Sequence, residues 1–259
     1  MEYQYIEYNT KERLTYITLN RPEKRNAFNE QLVNELKHAF KTAEGDKNTK
    51  VVILNANGKV FSAGADLSYL QSLQTYTYEE NLKDSNNLKE LYQHIYSFKK
   101  VVIAQVEGHA IAGGCGLATV CDFTFSIPEI KFGYTEVKIG FVPAIVMVFL
   151  LKKIGELKTK ELLLTGKLIS AEEALDISLI NQIFTKETIA AEVYNFAQKL
   201  CNETSGQSLE LTKKMIADIQ KMNYTEAFDF AAEMNAKARA TSDCKKGIAS
   251  FLNKEKLNW

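Results

Sequence analysis

The sequence predicts an α/β fold closed by a helical tail, and three observations carry that prediction. Short apolar runs alternate with helical patterns through the first 190 residues. Two of these runs, Val51-Val52-Ile53-Leu54 and Val101-Val102-Ile103-Ala104, have no polar alternation, as expected of parallel strands covered on both faces. Beyond about residue 190 only helical spacing remains. A chain of 259 residues can bury most of its apolar surface in one large domain. We therefore divide it into an α/β core, residues 1–190, and a helical C-terminal region, residues 191–259.

Taken in order, Tyr3, Tyr5 and then Leu14, Tyr16, Ile17 and Leu19 read as a hairpin broken at Asn9-Thr10-Lys11-Glu12. Phe28-Asn29-Glu30 opens a helix whose apolar face is Leu32, Val33, Leu36, Ala39 and Phe40. The strand Val51–Leu54 follows and ends at Asn57-Gly58. A second helix carries Leu88, Leu91, Tyr92, Ile95 and Phe98 into the strand Val101–Ala104. Phe123-Thr124-Phe125 and a helix from Ile145 repeat the pattern. Ser170-Ala171-Glu172-Glu173 is a capping-box helix start. Three helices then follow: Ile189, Val193, Phe196, Ala197 and Leu200; Leu209, Leu211, Met215 and Ile216; Phe228, Ala231, Ala232 and Met234. No low-complexity linker and no residue-level repeat is evident.

Composition removes several classes of function. The chain has 32 Lys+Arg against 32 Asp+Glu, so no basic excess exists to neutralise nucleic-acid phosphates. The longest apolar run, Ile139 to Leu151, is too short to cross a membrane. The N-terminal residues have no basic region followed by an apolar core. Cys115, Cys121, Cys201 and Cys244 show no metal-binding spacing and read as free thiols of a reducing compartment, so a cytoplasmic location is expected.

Two glycine-bearing turns each follow a buried strand and lead into a helix: Val60-Phe61-Ser62-Ala63-Gly64-Ala65-Asp66-Leu67, and Gly108-His109-Ala110-Ile111-Ala112-Gly113-Gly114-Cys115-Gly116. Small residues let a ligand approach the backbone, and two amides converging on one point would form an oxyanion hole. Neither turn matches the phosphate-loop or dinucleotide-binding pattern.

These turns also carry a resemblance. With Leu19-Asn20-Arg21-Pro22-Glu23-Lys24-Arg25-Asn26-Ala27 before them, and Cys121-Asp122 and Phe132-Gly133-Tyr134-Thr135-Glu136 after them, the sequence resembles the enoyl-CoA hydratase/isomerase (crotonase) family. Leu162-Leu163-Leu164-Thr165-Gly166, Ala171-Glu172-Glu173-Ala174 and Gly247-Ile248-Ala249-Ser250-Phe251-Leu252 extend the similarity over nearly the whole chain. The resemblance implies a crotonase-like spiral of β-β-α units, an acyl-CoA thioester substrate, no metal or redox cofactor (CoA arrives as part of the substrate), and assembly as trimers or paired trimers.

Residue by residue, the resemblance gives Ala65 and Gly113 as backbone donors to the thioester oxygen and Glu136 as the catalytic carboxylate. Ala63, Asp66 and Leu67 would line the CoA channel. Lys24, Arg25, Phe251 and Lys254 would contact its adenine and phosphates. Hydratases of this family place a second glutamate directly after the Gly-Gly-Cys run, where this sequence has Gly116. One carboxylate suffices for a double-bond isomerase, which is the first rival reading; a non-catalytic acyl-CoA-binding protein is the second. The stretch Glu136 to Ile145, which lacks the usual Pro-Gly-x-Gly-Gly run, instead resembles bacterial 3-methylglutaconyl-CoA hydratases of leucine breakdown, some of which also lack the first glutamate. Hydration of a 2-enoyl-CoA is the expected activity.

The remaining chemistry-bearing residues are read as structural. His109 is assigned to its turn, His38 and His94 to surface or packing, Asp122 to a cap, and Glu107 to the strand end. Tyr76 and Tyr78 fall in Leu70–Glu80, expected to be a mobile segment over the acyl pocket.

Overall fold

The computed structural model describes residues 2–259. Strands β1 (Ile6–Lys11) and β2 (Leu14–Leu19) form the expected hairpin. The turn is not at Asn9–Glu12, however. Glu12 and Arg13 make it alone, both with positive φ (53° and 67°), the handedness that suits a two-residue connection between twisted strands. A 3-10 turn, Pro22–Lys24, leads to α1 (Glu30–Gly45), capped by the Asn29 side chain accepting from the Leu32 amide.

Three turns of strand, strand and helix follow. The first is β3 (Val51–Ala56), β4 (Val60–Ser62), and the helix pair α2 (Leu67–Leu73) and α3 (Tyr78–Tyr96). The second is β5 (Val101–Val106), β6 (His109–Ile111) and α4 (Gly113–Thr119). The third is β7 (Phe123–Ser126), β8 (Lys131–Gly133), a 3-10 turn Glu136–Ile139, and α5 (Ala144–Thr165). The last helix breaks at Gly155, whose φ of 73° is not helical. Strand β9 (Leu168–Ser170), α6 (Ala171–Asp176) and β10 (Gln182–Ile183) close the core. Ser170 and Glu173 form the expected capping box.

The first strand of each turn joins one sheet and the second joins another. The larger sheet runs β1-β2-β3-β5-β7-β10 and the smaller β4-β6-β8-β9. All pairings are parallel except β1 with β2 and β8 with β9. Every residue of β5 is buried, as the apolar run predicts for a central parallel strand. After β10 the described chain is helical: α7 (Ile189–Glu203), α8 (Gly206–Ile219), α9 (Tyr224–Ala240) and α10 (Ser242–Leu252). Helix α7 packs on β3, β5 and β7, while α10 packs on α8 and α9. The spiral repeat is therefore present in space although no residue repeat marks it.

Asn26 locks the segment before α1 to the first spiral turn. Its side chain accepts from the Arg21 amide and donates to the carbonyls of Asn57 and Val60, at 2.8–2.9 Å. Its own carbonyl accepts from the Ser62 hydroxyl, and its φ of 51° is one asparagine tolerates better than alanine. Asn26→Ala would leave three buried backbone groups unpaired. We expect a loss of about 3 kcal/mol or more, read from urea unfolding followed by circular dichroism.

Candidate active site

The two glycine turns meet because their strands pair. Strand β4 lies parallel to β6, and each strand runs straight into its turn. The first turn is strapped to the segment before α1 by three backbone bonds: Ala63 N–H to Arg25 O, Phe28 N–H to Gly64 O, and Asp66 N–H to Phe28 O, at 2.7–3.0 Å. It also interlocks with the second turn. A methyl group on Gly64 would sit 2.8 Å from the Ala112 Cβ and 3.3 Å from the Gly113 nitrogen. One on Gly114 would sit 2.3 Å from the Ser62 carbonyl oxygen. Each turn thus needs a glycine where the other presses on it.

Ala112 holds φ 52° and ψ −126°, a conformation L residues rarely adopt. Strain of this kind is retained where surrounding structure over-determines it, and it clusters at functional sites. The Ala112 amide donates to Gly133 O at 2.7 Å, which ties the second turn to the end of β8. Between the two turns, the amides of Ala65 and Gly113 donate to no group among the described residues. Two neighbouring unpaired N–H groups on an immobile backbone can stabilise a developing negative charge.

Glu136 follows β8 by three residues and so comes to the same place. Its Oε2 is sealed from solvent with no hydrogen-bond partner. Burial raises the carboxyl pKa above its ordinary value, opposed only by a backbone hydrogen bond. Its charge is felt by the phenol of Tyr92 and the thiol of Cys115, both within or facing α4. Cys115 itself is pushed up to about 12 by burial and is no nucleophile at neutral pH.

The other predicted residues fall into three groups. Asp66 is buried, but its carboxylate is fully engaged. It accepts from the Ser68 amide and hydroxyl, capping α2, and pairs with Arg21 Nη1 at 2.6 Å. These partners, Ser68 first and Arg21 next, lower its pKa to about 2. Lys24 and Arg25 are exposed beside the first turn, to which the Arg25 carbonyl is bonded. Leu67 is exposed, and Phe251 and Lys254, at the end of α10, are exposed on the helical region.

The structural assignments also resolve. The His109 ring accepts from the Lys131 amide across β6 and β8 at 3.0 Å. His38 bonds the Tyr3 hydroxyl, and His94 packs on Phe40 and Phe98. Asp122 accepts from the Val102 amide and pairs with Lys213 at 2.6 Å. Glu107 accepts from Gln105. The segment Leu70–Glu80 joins α2 to α3. It is mostly helical, with Thr77 and Glu80 forming a capping box at the start of α3, and the Tyr69 hydroxyl bonded to Asp84. Tyr76 lines a cavity of about 690 Å³ with Glu30, Asn34 and Tyr69, and Tyr78 faces solvent.

Sequence reasoning missed Tyr92 and Ala112. Tyr92 lay in an apolar helical stripe, and nothing in that pattern distinguishes a packing phenol from one aimed at a turn.

An α/β spiral whose paired turns present free amides beside a buried carboxylate defines a protein built to hold an oxyanion next to a proton-transfer group. Comparison with known proteins agrees: the model of the enoyl-CoA hydratase/isomerase family matches residues 9–259. The chain belongs to that family. A relative from Thermus thermophilus is 39% identical over 92% of this chain and 94% of its own. The crotonyl-CoA hydratase of Syntrophomonas wolfei is 31% identical, covering 100% and 99%. The crystal structure of an enoyl-CoA hydratase from Mycobacterium smegmatis superposes with a TM-score of 0.93 at 25% identity, over 99% of both chains.

An unpartnered buried carboxylate costs stability. Because its folded pKa is raised, Glu136 opposes the folded state with full weight above that pKa, and the penalty fades as pH falls through it toward the ordinary glutamate range. Glu136→Gln removes the charge while keeping the shape. Its Tm at pH 7.5 should therefore rise by about 2–4 °C, checked by calorimetry, with the gain shrinking toward pH 5.

Proposed function

We propose that this protein catalyses the reversible hydration of a 2-enoyl-CoA thioester. The observation that carries the reading is the orphaned Oε2 of Glu136, buried next to turns with two free amides. In the hydration direction Glu136 takes a proton from water, and the hydroxide oxygen bonds to C3 of the enoyl group. The C2–C3 π electrons move onto the thioester oxygen, where the Ala65 and Gly113 amides hold the enolate. The same carboxyl then returns its proton to C2. One backbone donor of this type is worth about 3–4 kcal/mol of barrier. A carboxyl whose pKa is raised is a better match to both transfers than an ordinary one.

The CoA portion would run past Ala63, Asp66 and Leu67. Asp66, with its carboxylate engaged elsewhere, would contribute through position and backbone. Lys24 and Arg25 beside the first turn, with Phe251 and Lys254 of the helical region, would meet adenine and phosphates. The exposed apolar residues Ile139, Phe141, Val142 and Val148 support burial against further copies of the chain, in the trimer or paired trimers we propose. On the acyl side, the resemblance around Glu136 to Ile145 favours 3-methylglutaconyl-CoA, whose distal carboxylate would supply what Gly116 lacks. A double-bond isomerase is the second reading, favoured by Gly116 itself, because moving one proton from C2 to C4 needs only one base.

Turnover in heavy-oxygen water separates these readings, with 3-methylglutaconyl-CoA and crotonyl-CoA run side by side and products read by mass. We expect label in the 3-hydroxyacyl product and a preference for the first substrate. Equal turnover of crotonyl-CoA would remove the substrate-carboxylate idea. No label from either, with turnover of a 3-enoyl-CoA, would establish the isomerase instead. Glu136→Gln should lower kcat by about 10²–10⁴-fold while CoA binding persists; retained kcat would return the protein to a binding role. In the native protein kcat/KM should fall on the acid side at a pH above the ordinary glutamate range, because the base works only when ionised.

A further inference from the structure

Tyr92 comes from α3, a different turn of the spiral, yet it closes the space beside the first turn of α4. Its side chain is among the largest fully buried ones. Its hydroxyl donates to the carbonyl of Gly113. A methyl group on Gly116 would lie 3.1 Å from the Tyr92 ring, from its hydroxyl and from Val146 Cγ2. The position where the family pattern calls for a glutamate is thus walled by a phenol and a valine. A glutamate side chain at Gly116 would have to displace one of them.

The hydrogen bond has a further geometric consequence. Gly113 has no Cβ, so its conformation is set by the bonds of the peptides on either side of it. On one side, the Ala112 amide is bound to Gly133 O and the Ala112 carbonyl accepts from the Gly116 amide at 3.0 Å; on the other, the Gly113 carbonyl is bound to Tyr92. The free N–H of Gly113 lies between these bonds, next to the strained Ala112. Deleting the Tyr92 bond loosens the peptide after Gly113, and the strained Ala112 on the other side gives the residue a reason to turn.

We propose that Tyr92 is a positioning residue, whose hydroxyl aims the Gly113 amide at the thioester oxygen and whose ring keeps the Gly116 position empty. This rests on the enolate reading above. Tyr92 touches neither substrate carbon and transfers no proton; burial holds its phenol well above its ordinary pKa, so it stays neutral. What it supplies is the one side-chain bond to the residue that carries the donor, on the side away from the strained Ala112.

The test uses the thioester carbonyl stretch of crotonyl-CoA bound to Glu136→Gln, measured by isotope-edited infrared spectroscopy. The band should lie below that of free crotonyl-CoA, as expected of a polarised carbonyl. Adding Tyr92→Phe, which deletes only the hydroxyl, should return at least half of the shift. With Glu136 intact, Tyr92→Phe should lower kcat about 10- to 100-fold, with KM within about threefold and Tm within a few degrees. Gly116→Ala, which keeps the phenol but presses on both its ring and its hydroxyl, should move the band in the same direction. An unchanged band and kcat in Tyr92→Phe would overturn the positioning role and leave the enolate reading standing. A fall in kcat matched by a rise in KM and a loss of Tm would also overturn it, as ordinary packing. A bound thioester unpolarised before Tyr92 is altered would overturn the enolate reading, and the positioning role with it.

Discussion

The contact on which the functional side of this protein depends is backbone against backbone. Gly64 meets the Ala112–Gly113 peptide, and Gly114 meets the carbonyl of Ser62, at distances that admit no side chain. Neither approach is favourable in isolation, and Ala112 adds strain of about 1–3 kcal/mol. The arrangement persists because it is over-determined. Strands β4, β6 and β8 are parallel neighbours, so the three segments leaving them arrive together. Bonds from Ala63, Phe28, Asp66 and Ala112 then fix the turns on both flanks. A donor pair held this way needs no reorganisation when negative charge develops, which is the condition under which backbone amides stabilise it best.

The same economy of structure explains why the segment Arg21 to Phe28 can bury the polar Arg21 and Asn26. Asn26 bridges three backbone groups, and Arg21 neutralises Asp66 while also donating to the Ala27 carbonyl. The buried charge there, that of Arg21, has a partner, unlike that of Glu136. The contrast is informative. Asp66 has its carboxylate held near 2 by Ser68 and Arg21, and so contributes stability at every pH above the usual aspartate range, lost only as pH falls toward 2. Glu136 is buried without compensation and moves the other way. A fold that satisfies its carboxylates elsewhere and leaves this one unsatisfied has set stability aside at one point.

How much of this the sequence discloses depends on length and period. The strands Val51–Ala56 and Val101–Val106 are six residues of β-branched and apolar character, long enough to read directly. The smaller sheet is built from strands of three residues, Val60–Ser62, His109–Ile111 and Lys131–Gly133, too short to show alternation. Those strands therefore read as glycine turns, and their pairing, which brings the site together, stayed hidden. The hairpin turn was misplaced because Asn9 and Thr10 are turn formers by composition, whereas Glu12 and Arg13 adopt positive φ only under the constraint of the strands. At the site, glycines and Glu136 were legible as motif letters. Tyr92 was not, since helical periodicity counts its ring as core and says nothing of where its hydroxyl points.

Tyr92 and Gly116 together also change the electrostatics of the reaction. Two carboxylates facing each other across a substrate titrate as a coupled pair, and their like charges raise one pKa at the expense of the other. Here the opposing group is a phenol whose burial keeps it neutral. Glu136 is then displaced upward mainly by desolvation, and its proton belongs to it alone. A single-base site of this kind loses the division of labour between an acid and a base. In exchange it avoids burying a second negative charge beside the enolate proposed above, where it would oppose the charge that the two amides would stabilise. Both hydration through one recycled proton and isomerisation fit that economy, and the choice between them falls to the acyl group that fills the space beside Glu136.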